Sequence, residues 1–178
     1  FDGPIRVPYA VESLLSGVQK PLLPDQRLWY KRTFIDPRPG WGDGCVLLHF
    51  GAVDYECTAW LNGVPLGTHR GGYLPFTFDI TDALKDGENE LLVSVWDPTD
   101  TGMQQRGKQV LKPNGIWYTP ISGIWQTVWL EGVPALSIES LKLTPDLDGG
   151  TLRGEVRLRG EEDAGLRVEV EAYSGGQA

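Results

Sequence analysis

Ala59-Trp60-Leu61-Asn62-Gly63-Val64-Pro65-Leu66-Gly67-Thr68 is the stretch that decides the fold. Asn-Gly tolerates the positive φ that both central residues of a type I′ turn require, so Asn62-Gly63 joins a strand over 56–61 to a strand over 64–68. Further strands are expected on both sides of this hairpin, over 29–35, 45–50, 75–80, 90–96 and 127–131. Asp86-Gly87 predicts a second tight turn, and Thr81-Asp82-Ala83-Leu84 a single capped helical turn. Gly71-Gly72 reads as a bend that lets backbones approach closely, with Tyr73, Phe76 and Phe78 expected to fill the interior.

Composition agrees with a chain of short strands. The 178 residues hold 23 Gly and 13 Pro, a density that interrupts helices about every five residues. Strands at these spacings make an all-β, galactose-binding-domain-like jelly-roll sandwich the expected architecture. No repeat or low-complexity segment is visible. The net charge of −8 gives no support for a phosphate-binding surface, so nucleic acid is not an expected partner. No apolar run approaches the roughly 20 residues of a spanning helix, so no membrane partner is expected either. Cys45 and Cys57 are too few for a disulfide framework. They read as small core residues on neighbouring strands, and no Cys/His spacing suggests a metal site.

The chain changes character near Pro134. All seven tryptophans lie before it, and charged residues are denser after it. Beyond it, residues 136–143, 152–158 and 166–172 alternate apolar with polar side chains, as half-buried sandwich strands do. Asp148-Gly149-Gly150 and Glu161-Glu162-Asp163 separate them. Three strands are about half of a seven-stranded immunoglobulin-like sandwich, so residues 135–178 are expected to be the first strands of an incomplete immunoglobulin-like domain, and residues 1–134 the jelly roll.

The runs AWLNGVPLGTHRGGYLPFTFDIT (59–81), ENELLVSVWDPTD (88–100) and SGIWQTVWLEGV (122–133), in that order, resemble the N-terminal sugar-binding domain of glycoside hydrolase family 2, which includes β-galactosidases, β-glucuronidases and β-mannosidases. VPYAVESLLSGV (7–18) and LWYKRTF (28–34) extend the resemblance over nearly all of residues 4–134. The family carries further strand sequence before the region matching Pro4, so an N-terminal strand is expected to be missing. The alternating tail resembles the opening of the immunoglobulin-like domain that follows in the family. The resemblance implies a complete enzyme that removes a terminal β-linked sugar by a retaining, two-carboxylate mechanism, with both glutamates on a downstream TIM barrel. Residues 1–178 are then expected to be inactive alone, to carry no catalytic residue, and to require no cofactor or metal.

Residues 97–121 form a long polar connection bearing aromatics, and such loops in compact domains are usually functional. Sugar recognition uses amides, guanidinium and carboxylate groups against hydroxyls and an aromatic face against the ring. Arg106, Lys108, Gln109, Asn114, Trp117 and Tyr118 offer that set and are the candidate substrate-binding residues. In the family, an acidic residue just before the motif matching Ser122-Gly123-Ile124 holds substrate hydroxyls. Asn114 is the nearest equivalent here, where no carboxylate stands. The loop either touches substrate through Asn114 or a neighbour, or braces the barrel with Arg106 and Lys108 paired across an interface. Asn62 reads as a turn residue before a sugar contact, and Asp97 as a turn cap before Pro98. Glu12, Glu56, Glu88 and Glu90 show no spacing that suggests a glycosidase pair. His69 reads as a solvated or interface residue.

The expected function is therefore the non-catalytic part of a family 2 exo-β-glycosidase, binding a terminal β-linked sugar in the full-length enzyme and packing on the catalytic barrel, with homo-oligomerisation open. A free-standing carbohydrate-binding module or lectin is the alternative, and a structural spacer a third. A cytoplasmic location is expected, with secretion or the periplasm left open because the true N-terminus is expected upstream.

Overall fold

The Asn62-Gly63 turn closes the hairpin that organises the larger sheet. Asn62 has φ 53° and Gly63 φ 83°, the left-handed pair of a type I′ turn. The protein is described from a computed structural model, in which residues 2–160, 165–171 and 173 are described. Its strands are β1 (Leu28–Ile35), β2 (Cys45–Phe50), β3 (Val53–Asp54), β4 (Glu56–Leu61), β5 (Val64–Arg70), β6 (Phe76–Asp79), β7 (Glu88–Trp96), β8 (Gly123–Ile124), β9 (Val128–Val133), β10 (Ser137–Asp146) and β11 (Thr151–Arg159). A short helix, α1 (Arg38–Trp41), and two 3₁₀ turns complete the elements among the described residues.

The chain divides into two compact units, Phe1–Val133 and Pro134–Ala178. In the first, a four-stranded antiparallel sheet in the order β1-β7-β4-β5 and a three-stranded antiparallel sheet in the order β6-β2-β9 supply the two layers of a β-sandwich. Alternation sets the inner faces. Cys57, Ala59 and Leu61 of β4 and Leu91, Val93 and Val95 of β7 join Val46, Leu48 and Phe50 of β2 in one buried cluster, which Ile80 and Leu84 close at one end. Phe50 stacks on Phe76 with ring centroids 4.8 Å apart. A two-stranded ladder of β3 and β8 ties the chain after β2 to the chain before β9.

Several expectations need correcting. Tyr73 is 48% exposed and does not fill the interior, because the bend at Gly71-Gly72 carries it past the end of the sandwich, whereas Phe76 and Phe78 do pack against the core. Cys45 and Cys57 lie on strands of different sheets, not on neighbours; both are free, and burial pushes the Cys57 thiol up to about 12. The turn over Thr81–Ala83 has no side-chain cap of its own; Asp79 Oδ1 instead accepts the Thr81 N–H (3.0 Å) and the Thr81 hydroxyl (2.6 Å).

In the second unit, β10 and β11 pair antiparallel around a turn at Gly149-Gly150, with a register shift between Ile138 and Ser140. The expected third strand is absent from residues 166–171, which take no strand conformation; Ala172 and the Glu161-Glu162-Asp163 spacer lie outside the described residues.

Candidate functional site: a polar loop pinned to the end of the sandwich

β7 runs along the sandwich core and ends at Trp96, where the ladder gives way to residues 97–121. The departure is set by Asp97. Its Oδ1 accepts the Thr99 N–H at 2.8 Å, the turn-capping role expected before Pro98, while its Oδ2 accepts the Ser122 hydroxyl at 2.7 Å. The same side chain therefore fastens the first residue of the loop to Ser122, the residue just past its end. Ser122 is fastened a second time, its N–H donating to Glu12 Oε2 at 2.9 Å. Ile124 N–H donates to the Tyr30 hydroxyl at 3.1 Å, and burial raises that phenol well above its ordinary range.

Inside the loop, two segments are held side by side. Val110 N–H donates to Tyr118 O (3.0 Å) and Tyr118 N–H to Lys108 O (2.9 Å), a parallel bridge between Gln109 and Tyr118. The Lys108 ammonium lies 5.9 Å from the Tyr118 ring centroid, within cation–π range. Trp117 N–H donates to Asn114 O at 3.0 Å, closing the turn that carries both residues. Asn114, Trp117, Val110, Leu111, Lys112 and Asp100 line one shallow open depression. Trp117 (40%), Tyr118 (64%) and Asn114 are exposed, as is Lys108.

Arg106 and Gln109 are placed differently. Arg106 donates from Nη1 to Asp100 O at 2.6 Å and so braces the loop from within. Gln109 uses both ends of its amide internally: Oε1 accepts the Ile121 N–H at 2.5 Å, and Nε2 donates to Asp54 Oδ2 (3.3 Å) and the Tyr73 hydroxyl (3.4 Å). Of the six candidates, four thus face solvent on a loop whose other two hold it in shape. This combination of exposed aromatic rings, an exposed amide and an ammonium on a braced backbone is chemically suited to a polyhydroxylated ring.

The "Glycosyl hydrolases family 2, sugar binding domain" profile matches residues 11–134. The chain belongs to glycosyl hydrolase family 2. A β-glucuronidase from Paenibacillus borealis is 29% identical over 135 residues, which cover 68% of this chain and 22% of that protein. A β-galactosidase from Priestia megaterium is 31% identical over 127 residues, 71% of this chain and 11% of that one. Among solved structures, a β-glucuronidase from an uncultured Clostridium sp. superposes with a TM-score of 0.63 at 29% identity, covering 88% of this chain and 28% of that chain. The chain thus spans about a fifth or less of the length of the curated relatives it matches.

The family 2 domain contains a buried carboxyl cluster that the sequence reading did not bring together. Asp54 and Asp97 are each 3% exposed, and burial raises the carboxyl pKa of both, Asp54 to about 7 with added repulsion from Asp97 and Glu12. Burial likewise raises Glu12, whose Oε1 has no hydrogen-bond partner among the described residues. A carboxylate set in the apolar run Ala52-Val53-Asp54 is the one local sign of this cluster; its partners stand 40 or more residues away in sequence. Glu56 is instead engaged by Arg27 (3.2 Å) and Arg70 (2.9 Å), which hold its carboxyl below the usual range, and Glu90 pairs with Lys31. Among the described residues no three His, Cys, Asp or Glu side chains are arranged to hold a metal ion. His69 stacks on Phe76, with centroids 4.1 Å apart, and bonds Gly71 O (3.2 Å).

Proposed function

We propose that this family 2 domain is the non-catalytic, sugar-facing part of a retaining exo-β-glycosidase acting on a terminal β-linked glucuronide or galactoside. In that reading the loop over 97–121 forms one wall of the substrate pocket and the sandwich packs on a catalytic barrel supplied elsewhere in the full-length enzyme. The observation that carries it is the exposure of Asn114, Trp117 and Tyr118 together on a braced loop of a domain that matches the family's sugar-binding profile. The names of the relatives support the substrate class. The arrangement of carboxyls supports a non-catalytic role: Asp54 and Asp97 are buried and bonded to protein donors, and Glu56 and Glu90 are held in ion pairs, so none of these offers the pair flanking an open cleft that glycoside hydrolysis needs. The tail hairpin β10–β11 is read, within the same proposal, as the opening of an immunoglobulin-like domain.

The test is kinetic. In the full-length enzyme, Trp117→Ala and Tyr118→Ala are expected to raise KM by about threefold to tenfold, the loss of one stacked ring being worth roughly 0.5–1.5 kcal/mol, with a smaller change in kcat. Residues 1–178 alone are expected to give no turnover of chromogenic β-glucuronides or β-galactosides. Unchanged KM and kcat in both variants, or turnover by the isolated chain, would remove this reading.

A further inference from the structure

We propose that Asp54 and Gln109 form a clasp that sets the position of the sugar-facing loop, with Asp54 the positioning residue and the loop's closure responsive to pH. The clasp rests on the reading above only for its consequence in sugar binding; its contacts stand independently of that reading.

Four contacts converge on Gln109. Its Oε1 receives the Ile121 N–H, its Nε2 reaches Asp54 Oδ2 and Tyr73 Oη, and its backbone is bridged to Tyr118. One side chain therefore links both arms of the loop, around 109 and around 118–121, to the floor formed by β3 and the bend after β5. That floor is itself held by further contacts. Trp125 Nε1 donates to Gly72 O at 2.8 Å, and the Trp125 and Tyr73 rings meet edge to face at 6.2 Å. Gly72 has to be glycine for the clasp to exist, since a Cβ there would lie 2.4 Å from Asp54 Oδ1.

The groups facing Asp54 make closure sensitive to its charge. Asp97, from the start of the loop, and Glu12, from the N-terminal segment, add like charge. Gln109 and Tyr73 are neutral donors from the loop and the bend. Among the described residues no Lys, Arg or His makes a hydrogen bond or ion pair to Asp54. Burial and the two neighbouring carboxyls hold the closed-state pKa near 7, outweighing the Gln109 bond that favours the anion. Opening the loop would hydrate Asp54 and return it toward the ordinary value of about 4. Closure therefore takes up a proton. It is most favoured below about pH 4, weakens as pH rises toward 7, and levels off above that.

Amide hydrogen exchange on the 178-residue chain tests this without any sugar. Protection factors, corrected for intrinsic exchange, are compared at pH 5 and pH 7.5 for Val110, Tyr118 and Ile121, with Val93 and Val95 of β7 as references. Wild-type loop protection is expected to fall at least about tenfold between the two pH values. Asp54→Asn keeps the shape and the acceptor but cannot ionise; it is expected to show a smaller fall and higher protection than wild type at pH 7.5. Gln109→Ala is expected to lose about tenfold protection at all three loop amides at both pH values, with Val93 and Val95 unchanged. Loop protection in Gln109→Ala within twofold of wild type, or an identical pH dependence in wild type and Asp54→Asn, overturns the clasp. A loop that behaves as expected here while Trp117→Ala and Tyr118→Ala both leave KM and kcat unchanged would remove the sugar-binding reading and keep the clasp.

Discussion

Asn62 illustrates how much one turn residue can hold. Its side chain reaches under the hairpin: Nδ2 donates to Ala83 O (2.8 Å) and Asn89 Oδ1 (2.7 Å), and Oδ1 accepts the Glu90 N–H (3.0 Å). Asn89 is fully buried and bonded in turn to Lys85 and Gly87. Asn62→Ala removes three bonds, strands part of a buried network and leaves a Cβ-bearing residue without local compensation at positive φ, so a loss of about 3 kcal/mol is expected. Urea unfolding measures it, and a loss under about 0.5 kcal/mol would show that the network is dispensable. The turn role of Asn62 is legible in the Asn-Gly pair because φ preference is local. Its inward bonds are not, because Asn89 and the turn ending at Ala83 are brought to it by the antiparallel pairing of β7 with β4 and not by anything adjacent in the chain.

At the scale of elements, strands with strong alternation are legible and the pieces joining them are not. β3 and β8 are two residues each, too short to show a period, and exist because they find each other across 70 residues. The tail hairpin is the opposite case: its alternation is plain, yet within the second unit its apolar side chains Leu141 (59%), Leu143 (53%) and Leu152 (61%) remain exposed. A two-stranded ladder with one apolar face uncovered is marginal in water. Amides of β10 and β11 in the 178-residue chain are therefore expected to exchange at least about a hundredfold faster than those of Val93 and Val95, corrected for intrinsic rates. Equal protection would mean that the hairpin is stabilised by more than its own ladder.

For the whole molecule, the buried carboxyls make stability a function of pH with an unusual sign. Asp54, Asp97 and Glu12 all have pKa values raised by folding. The native state therefore holds more protons than the unfolded chain between about pH 4 and 7, and stability falls as pH rises through that window. Asp36 and Glu56 are shifted down, so the stability they contribute is present above their ordinary values and adds no slope between pH 5 and 7.5. The urea midpoint is expected to be higher at pH 5 than at pH 7.5. Asp54→Asn should reduce the difference, leaving the part due to Asp97 and Glu12; a midpoint that rises from pH 5 to 7.5 would contradict this. The sequence by itself determined the all-β class, the Asn62-Gly63 hairpin and membership of the family, because these depend on local φ preference, period and ordered motifs. It also singled out the polar, aromatic loop over 97–121. Only the tertiary structure decided which candidates face solvent and which hold the loop, and that Asp54 lies beneath it. Burial and like-charge proximity are properties of space, created when β3, the Gly71-Gly72 bend and the loop from β7 meet at one end of the sandwich.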